Sequence, residues 1–467
     1  MQFLFTKKVS EKMVKVVLTE KESDEVVRIG SREEICLGIG PRGKMTRRKW
    51  ILLPRRAVML AQGKKIKELS LDWKEWQFAH LAIDDGELAE LFAVNALMAD
   101  FSFDEFKTKP KDGFSKVEKI FFDDAVKVKI VSGLKRGIII GEEVNRSRHI
   151  ATMPGGEMTP EILAAHAKQS VKGLSVQFSV LDERAMEKLK MGGILGVGKG
   201  SDEKSCFIVL EYFGAGKPSQ GGSVSDGKRP VVLVGKGVTF DTGGINLKPS
   251  DSILGMNMDM SGGAAVIHAI AAAARLKLKK NIIALIPAVE NMPSGSSYRP
   301  GDVLRSMSGK TIEVLNTDAE GRIILADALT YAKKYNPKLV VDVATLTGAA
   351  IVALGERASA LFTQDEKLEQ LFRHLGEESG DYVWPLPLWD EYDEEIKGTF
   401  GDVANIGKTR WGGAITAAAF LKQFVEKAYP WVHLDIAPRM TTLPDEFLAK
   451  GSAGAPVRLL VKLLEKF

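Results

Sequence analysis

The sequence predicts an α/β protein with a smaller N-terminal α/β domain and a larger C-terminal domain that has a central mixed sheet flanked by helices. The chain has 467 residues, which is enough for two or three domains and a large core. Apolar residues make up 45% of the chain, so its composition does not indicate disorder. After about residue 150, strand-like and helix-like segments alternate, which is typical of a sheet covered by helices on both faces.

Residues 1–150 are predicted to form the smaller domain. The runs VKVVLTE (14–20) and VKVKIVSG (126–133) have the alternation of short strands, and GELAELFAVNALMADF (86–101) has the composition of a helix. A capped amphipathic helix, predicted near 159–174, is expected to link this domain to the next. Thr159 is its N-cap, and Pro160 occupies the first helical position.

The larger domain is predicted to span 151–467. Its strand-like runs include VVLVGK (231–236), NIIALIPAVE (281–290), TIEVLN (311–316) and KLVVDVATLT (338–347). The linker-like stretch 214–230 is expected to be an exposed loop within this domain, and the last residues read as a closing helix.

Several classes of protein are disfavoured by the sequence. The longest mostly apolar run, MSGGAAVIHAIAAAA, is too short to span a bilayer, and the N-terminus lacks the apolar core of a signal peptide. Two cysteines, Cys36 and Cys206, do not make a disulfide framework. A protein of the reducing cytoplasm is therefore predicted.

The stretch NTDAEGR (316–322) lies between a strand-like and a helix-like run. Residues i and i+2 at the end of an extended strand point to the same side, so Asp318 and Glu320 are expected to converge, with Arg322 following. Two carboxylates aimed at one point repel each other unless a proton or a cation lies between them. The alternative interpretation is a polar turn that caps the next helix.

A second cluster upstream favours a metal site. Asp241 follows a strand-like run and a glycine-rich turn, and Asp259 precedes an Ala-rich helix. Four close carboxylates would be unstable in a low-dielectric cleft without multivalent cations. The six histidines show no ligand spacing; His268 and His433 are expected in the core. The sequence therefore predicts an oxygen-rich site for Mg²⁺, Mn²⁺ or Zn²⁺, with two metals sharing carboxylates.

Four segments, VGKGVTFDTGGINLKPS, MDMSGGAA, NTDAEGR and DVATLTGA, stand in an order and spacing that resemble the leucyl aminopeptidase (cytosol aminopeptidase) family. The resemblance covers roughly the last 300 residues. It implies an aminopeptidase that acts through a hydroxide bridging two divalent cations, Mn²⁺ or Zn²⁺ with Mg²⁺ as an alternative. It also implies peptide substrates with apolar N-terminal residues such as leucine, and a cytoplasmic homohexamer.

The resemblance further implies a role for each matching residue. Asp241 and Glu320 would be shared by both metals, and Asp318 would bind the looser one. Lys236 and Asp259 would complete the tighter site, which requires a neutral Lys236 with a strongly depressed pKa. Lys248 would polarise the substrate carbonyl, and Arg322 would hold a bicarbonate that acts as general base. The residues expected to line or anchor the substrate are Met256, Thr345, Leu346 and Gly348.

The basic residues are concentrated in one stretch. Ten Lys and Arg, and no acidic residue, lie between Arg42 and Lys67. A solvated charged face of the small domain is the simpler interpretation. The alternative is an anion or DNA surface, which leaves open a DNA-binding regulatory or architectural protein on the same fold, or DNA binding as a second role.

Overall fold

The structure is a computed structural model that describes residues 1–6, 13–29, 32–123, 127–217, 228–426 and 429–467. It divides into two compact units. The first comprises Met1–Asn145 with Thr442–Gly451, and the second comprises Arg146–Thr441 with Ser452–Phe467. Most of the predicted loop at 214–230 lies outside the described residues.

The first unit contains a six-stranded sheet in the order β1-β6-β5-β2-β4-β3, in which only the β3–β4 pairing is antiparallel. The strands are β1 (Gln2–Phe5), β2 (Val14–Thr19), β3 (Glu25–Ile29), β4 (Arg32–Gly38), β5 (Glu68–Leu71) and β6 (Lys119–Phe122). The helices are α1 (Arg47–Trp50), α2 (Leu52–Gly63), α3 (Asp85–Asp100) and α4 (Val128–Thr152), the last continuing into the second unit. Edge-to-face aromatic pairs around Phe92 form part of its core.

One prediction for this region needs correction. The run at 126–133 is helical from Val128, where α4 begins, instead of forming a strand, and its first residue lies outside the described residues. The alternation of valine and lysine in this run is compatible with a strand, but packing favours a helix. Glycines further along α4 allow it to pack closely on α3. A Cβ at Gly137 would lie 2.4 Å from the Glu90 carbonyl oxygen. The predicted linking helix, observed as Pro160–Ser170 with Thr159 as its N-cap, lies wholly within the second unit.

The basic stretch from Arg42 to Lys67 makes many contacts within its own unit. Arg55 is buried and donates from Nε to Asn95 Oδ1 at 2.8 Å. Other partners are acidic or carbonyl groups: Arg42 with Glu75 O, Arg47 with Glu87, Arg56 with Asp24, Lys65 with Asp112 and Lys67 with Glu118. At least six of the ten cations thus have partners, and a paired cation offers less charge to a phosphate backbone, so the DNA-binding alternative gains no support.

The second unit is built on a nine-stranded mixed sheet in the order β16-β15-β18-β14-β9-β11-β8-β7, with β10 also paired to β11. The pairs of β14 with β9 and β18, of β11 with β9 and β10, and of β15 with β16 are parallel; the others are antiparallel. The strands are β7 (Val176–Leu181), β8 (Cys206–Phe213), β9 (Val231–Gly235), β10 (Gly237–Asp241), β11 (Asn281–Asn291), β12 (Val303–Arg305), β13 (Thr311–Glu313), β14 (Leu339–Ala344), β15 (Ser359–Phe362), β16 (Val383–Pro385), β17 (Val403–Ala404) and β18 (Trp431–Asp435). Strands β12, β13 and β17 form a separate small sheet.

Helices such as α9 and α10 pack against this sheet, as the sequence predicts. The helices of the second unit are α5 (Pro160–Ser170), α6 (Glu183–Lys188), α7 (Gly192–Gly198), α8 (Ser250–Ile253), α9 (Ser261–Arg275), α10 (Glu320–Ala332), α11 (Gly348–Leu354), α12 (Glu366–Ser379), α13 (Gly413–Lys422) and α14 (Val457–Lys466). Every residue of β9, β11 and β14 is buried, which is typical of strands covered on both faces. Within the described part of the chain, no helix is long and apolar enough to cross a membrane.

Helix α9 approaches the sheet very closely, and this approach positions the site. A Cβ on Gly262 would lie 2.1 Å from the carbonyl oxygen of Val343 in β14. The amide of Gly263 donates to the carbonyl of Lys236, which directly follows β9, at 2.7 Å. The start of α9 therefore lies over the carboxyl ends of β9 and β14, the edge where open α/β sheets hold their ligands.

Candidate active site

Three buried carboxylates converge at this edge of the sheet. Asp241 ends β10, Asp259 lies in the 3₁₀ helix that precedes α9, and Glu320 is the first residue of α10. One carboxylate oxygen from each lies within 4.8 Å of the others. They are at most 4% exposed, so their mutual repulsion is poorly screened by water.

Asp318 and Glu320 do converge on this region, but not from a strand end. Strand β13 stops at Glu313, Asp318 lies in a turn, and Glu320 opens α10. The prediction of an extended Asp-x-Glu is therefore wrong in its geometry. A turn that leads into a helix start brings the two carboxylates to the same site by another route.

The Lys236 ammonium lies among the carboxylates. Its Nζ is 2.9 Å from Asp259 Oδ2, 2.8 Å from Glu320 Oε1 and 3.0 Å from the Thr345 carbonyl oxygen, to which it donates. Burial alone would lower the pKa of Lys236, but the charges of Asp259 and Glu320 outweigh it and raise that pKa above its ordinary value. The protein's own groups thus oppose the depressed pKa that the family resemblance implies for Lys236, so the depression would have to come from a bound dication.

Lys248 occupies the neighbouring position. Its Nζ lies 2.8 Å from Asp241 Oδ2 and 2.5 Å from Asp318 Oδ1. The Lys248 side chain is 15% exposed, which is more than the side chains of the three buried carboxylates. Burial would lower its pKa, but Asp241 and Glu320 raise it above the ordinary lysine value. Lys248 is therefore a cation that faces both the carboxylates and the solvent.

Four carboxylates at the site share the two ammonium groups of Lys236 and Lys248. Burial is the main cause that raises the pKa of Asp259, and the nearby charges of Glu320 and Asp241 raise it further. The pKa of Glu320 is raised for the same reasons, burial first and then Asp241. Oε2 of Glu320 is buried and lacks a hydrogen-bond partner within the described ranges. An oxygen-rich, electron-rich donor set of this kind fits hard or borderline divalent cations.

Arg322 lies two residues beyond Glu320, inside α10. Its Nη1 donates to the carbonyl oxygen of Asn405 at 2.8 Å, whereas its Nε is buried without a partner in the part of the chain that the structure describes. Burial lowers the pKa of Arg322 to about 10, so it remains a cation at neutral pH. An unpaired N–H of a buried guanidinium suits a small anion.

The four residues predicted to contact substrate differ in their burial and in their hydrogen-bond partners. Met256 begins the 3₁₀ helix that carries Asp259, and it is partly buried. Thr345 is buried, and its hydroxyl donates to Asp259 Oδ1 at 2.7 Å. Leu346 is partly buried, and its amide donates to the carboxylate of Asp435. Gly348 is exposed at the start of α11. The structure therefore commits Thr345 and Leu346 to protein contacts that the sequence did not indicate.

Two asparagines that the sequence analysis missed hold the site loops. The Asn291 amide donates to Asp241 Oδ1 at 2.8 Å and to the Thr317 carbonyl at 3.0 Å. Asn405 Oδ1 accepts from the Leu315 amide at 2.8 Å, and its Nδ2 donates to the Asn316 carbonyl. The ENMPSG and DVANIG segments could have suggested them only as polar residues at strand ends, because their partners are distant in the chain.

Two glycines are required by close approach at the site. A Cβ on Gly321 would lie 2.6 Å from Lys236 Nζ. Gly243 has φ +86°, and a Cβ there would lie 2.8 Å from Asp318 Oδ1. The glycines in NTDAEGR and FDTGG therefore leave room for the charged side chains.

The histidine predictions agree with the structure. His268 and His433 are both buried, at 1% and 0% exposure. Nδ1 of His433 lies 2.6 Å from Asp342 Oδ1, and its ring forms stacked pairs with those of Phe362 and Trp431. Neither histidine belongs to the group of carboxylates that could hold a metal.

Comparison with known proteins gives a consistent result. A model described as the cytosol aminopeptidase family, catalytic domain, matches residues 145–461. A probable cytosol aminopeptidase of Nitrosomonas eutropha is 41% identical over 446 residues, which cover 94% of this chain and 86% of that protein. One from Paraburkholderia phymatum is 40% identical over 442 residues, covering 94% and 85%.

Solved structures agree with these sequence relatives. A mutant of tomato leucine aminopeptidase superposes with a TM-score of 0.87 at 26% identity, covering 100% of this chain and 97% of that one. The bottromycin maturation enzyme BotP in complex with Mn gives 0.86 at 30% identity, covering 98% and 99%. The family match, the relatives and the buried carboxylates together show that this chain belongs to the cytosol aminopeptidase family and is a metal-dependent aminopeptidase.

Proposed function

We propose that this aminopeptidase removes apolar N-terminal residues such as leucine from peptides, using two divalent cations, Mn²⁺ or Zn²⁺ with Mg²⁺ as an alternative. The main support is the buried group formed by Asp241, Asp259 and Glu320, whose carboxylate oxygens lie within 4.8 Å of one another. Asp241 and Glu320 would contact both cations. Lys236 and Asp259 would complete one site, and Asp318 would complete the other. Bound cations would lower the pKa of a bridging water and supply hydroxide near neutral pH.

The chain's own groups have distinct tasks in this proposal. Lys248 already points its ammonium between Asp241 and Asp318, from where it can donate to a substrate carbonyl oxygen and stabilise the oxyanion. Arg322 would hold a bicarbonate through its unpaired Nε–H, and that anion would take a proton as general base. Met256 and Leu346, both partly buried, would contact an apolar side chain. Thr345 and Gly348 would anchor the substrate backbone.

The proposed assembly is a homohexamer in the cytoplasm, as the family resemblance implies. Its mass in solution can be measured by analytical ultracentrifugation. A monomer at working concentration would contradict the assembly and leave the chemistry of the site unchanged.

Two comparisons test the activity. Turnover of leucine 4-nitroanilide should be lost on chelation and return when Mn²⁺ or Zn²⁺ is added. Leu-Gly-Gly should be cut, whereas N-acetyl-Leu-Gly-Gly should not, because acetylation delocalises the nitrogen lone pair and removes the free amine. The C-terminal amide of Leu-Gly-Gly is the matched control and should be cut normally. Cleavage of the acetylated peptide at a comparable rate would contradict the proposal.

A further inference from the structure

The loop 345–347 joins the carboxyl end of β14 to α11, and it supports one side of the site. The Thr345 hydroxyl donates to Asp259 Oδ1 at 2.7 Å, and the Thr345 carbonyl accepts from Lys236 Nζ at 3.0 Å. One residue therefore contacts both side chains assigned to the same cation. Its hydroxyl fixes the rotation of the carboxylate, and its carbonyl fixes the end of the lysine.

Thr345 is in turn held in place by the residues that follow it. The Leu346 amide donates to Asp435 Oδ1 at 3.0 Å, and the Thr347 hydroxyl donates to Asp435 Oδ2 at 2.7 Å. The Ala437 amide also donates to Asp435 Oδ1, at 3.1 Å. Both oxygens of this carboxylate are thus used by backbone and hydroxyl donors of two loops.

The central sheet holds Asp435 in place. Asp435 is the last residue of β18, it is fully buried, and its Cα pairs with that of Ala344 in β14. The next amide, that of Ile436, donates to the Ala344 carbonyl at 2.8 Å. The central sheet therefore fixes the position of Asp435. Its partner in β14, Ala344, directly precedes the loop that the carboxylate holds.

We infer that Asp435 is a positioning residue for one of the two cation sites, acting through Thr345 on Asp259 and Lys236. The inference rests on the proposed ligand assignment and makes it more specific. Asp318 is tied to a different set of groups, including Asn316 and Lys248. Loss of the Asp435 carboxylate should consequently weaken one cation site and leave the other nearly intact.

The test is a calorimetric titration of metal-stripped protein with Mn²⁺. Asp435→Asn keeps the volume but turns one acceptor into a donor that faces the Thr347 hydroxyl. It should weaken one binding step by about tenfold or more, the usual effect of losing a residue that orients a ligand, and change the other by less than about threefold. Asp342→Asn is the matched control: Asp342 is equally buried in β14, but its carboxylate contacts Trp431 and His433.

A double variant tests the route through the loop. Thr345→Val removes the hydroxyl bond to Asp259, so combining it with Asp435→Asn should cost less than the sum of the two single losses. Equal weakening of both steps by Asp435→Asn, no weakening, or the same loss in Asp342→Asn would overturn the inference. Wild-type protein that binds no Mn²⁺ would overturn the proposed cation site together with this inference. The outcomes above, in a wild type that does bind Mn²⁺, would overturn this inference alone.

Discussion

The side-chain amide of Asn291 donates a 2.8 Å hydrogen bond to Oδ1 of Asp241, across the parallel pairing of β11 with β10. The same amide group donates to the Thr317 carbonyl, next to Asp318. One buried side chain therefore sets the distance between the loop after β10 and the turn before α10. The orientation of the Asp241 carboxylate depends on a residue that needs to contact neither metal nor substrate.

Replacing Asn291 should consequently weaken metal binding. We expect Asn291→Ala to lower Mn²⁺ affinity by about 10- to 100-fold, because Asp241 loses one of the donors that orient it. Asn281→Ala is the control, since Asn281 lies at the other end of β11, is also buried and bonds to Gly216 and Lys228. Titration calorimetry of both variants decides the matter: similar Mn²⁺ affinity in the two would contradict the orienting role.

Removing the charge of Glu320 should abolish the activity. Glu320→Gln keeps the shape of the side chain but deletes a carboxylate expected to contact both cations, so turnover should fall by about 10³-fold or more, equivalent to roughly 4 kcal/mol. Mn²⁺ should raise the melting temperature of the wild type and not of this variant. Glu313→Gln, which alters a buried glutamate bonded to the Thr399 and Phe400 amides, should keep both properties. Near-native turnover in Glu320→Gln would exclude the assignment.

The two lysines should differ in what they lose. We expect Lys248→Ala to lower kcat by about 10²–10³-fold, as the loss of an oxyanion donor does, with bound metal near the wild-type amount. Lys236→Ala should lower metal occupancy as well, because its Nζ lies against Asp259 and Glu320. Elemental analysis alongside kinetics separates them. Metal loss in the Lys248 variant alone would mean that the two roles are exchanged.

Gly321 should be intolerant of a methyl group. In most helices Gly→Ala is favourable by up to about 1 kcal/mol. Here the new Cβ would lie 2.6 Å from Lys236 Nζ, so Gly321→Ala should displace the ammonium and reduce metal affinity and turnover. Gly295→Ala, where a Cβ meets nothing within 4 Å, should be neutral. In a Lys236→Ala background the Gly321 change should add little to the loss of metal affinity; a full additional loss there would show that Lys236 is not the group displaced.

Arg322 should matter for turnover more than for binding. If it holds an exogenous base, Arg322→Ala should lower kcat by about 10²-fold or more while metal content and KM stay near wild type. Added bicarbonate should stimulate the wild type but not the variant. Steady-state kinetics over a bicarbonate series provide the measurement, and equal stimulation of both proteins would remove Arg322 from the mechanism.

The parts of the fold and site that the sequence predicted are those encoded in short segments. The strand and helix alternation after residue 150 leads to the mixed sheet of the second unit, because continuous apolar runs such as β9 and β11 suit strands buried on both faces. The carboxylates of Asp241, Asp259 and Glu320 were identifiable because each follows or precedes a regular element.

The parts that the sequence did not predict depend on partners distant in the chain. Asn291 is 50 residues from Asp241, and Asn405 is 89 residues from Asn316. The raised pKa of Lys236 depends on how many carboxylates surround it, which only the folded geometry determines. The basic stretch could not be classified from its charges alone, since partners such as Glu87 and Glu118 lie well outside it.

The short segment Thr442–Gly451 has a consequence for how this protein can be divided. It belongs to the first unit although it is encoded near the end of the chain, and the Glu446 carbonyl accepts from Nη1 of Arg55. The polypeptide therefore crosses between the units three times, at 145/146, 441/442 and 451/452. A gene fragment that starts at residue 146 would carry ten residues whose packing partners it lacks, so neither unit is a contiguous module that recombination could transfer in one piece.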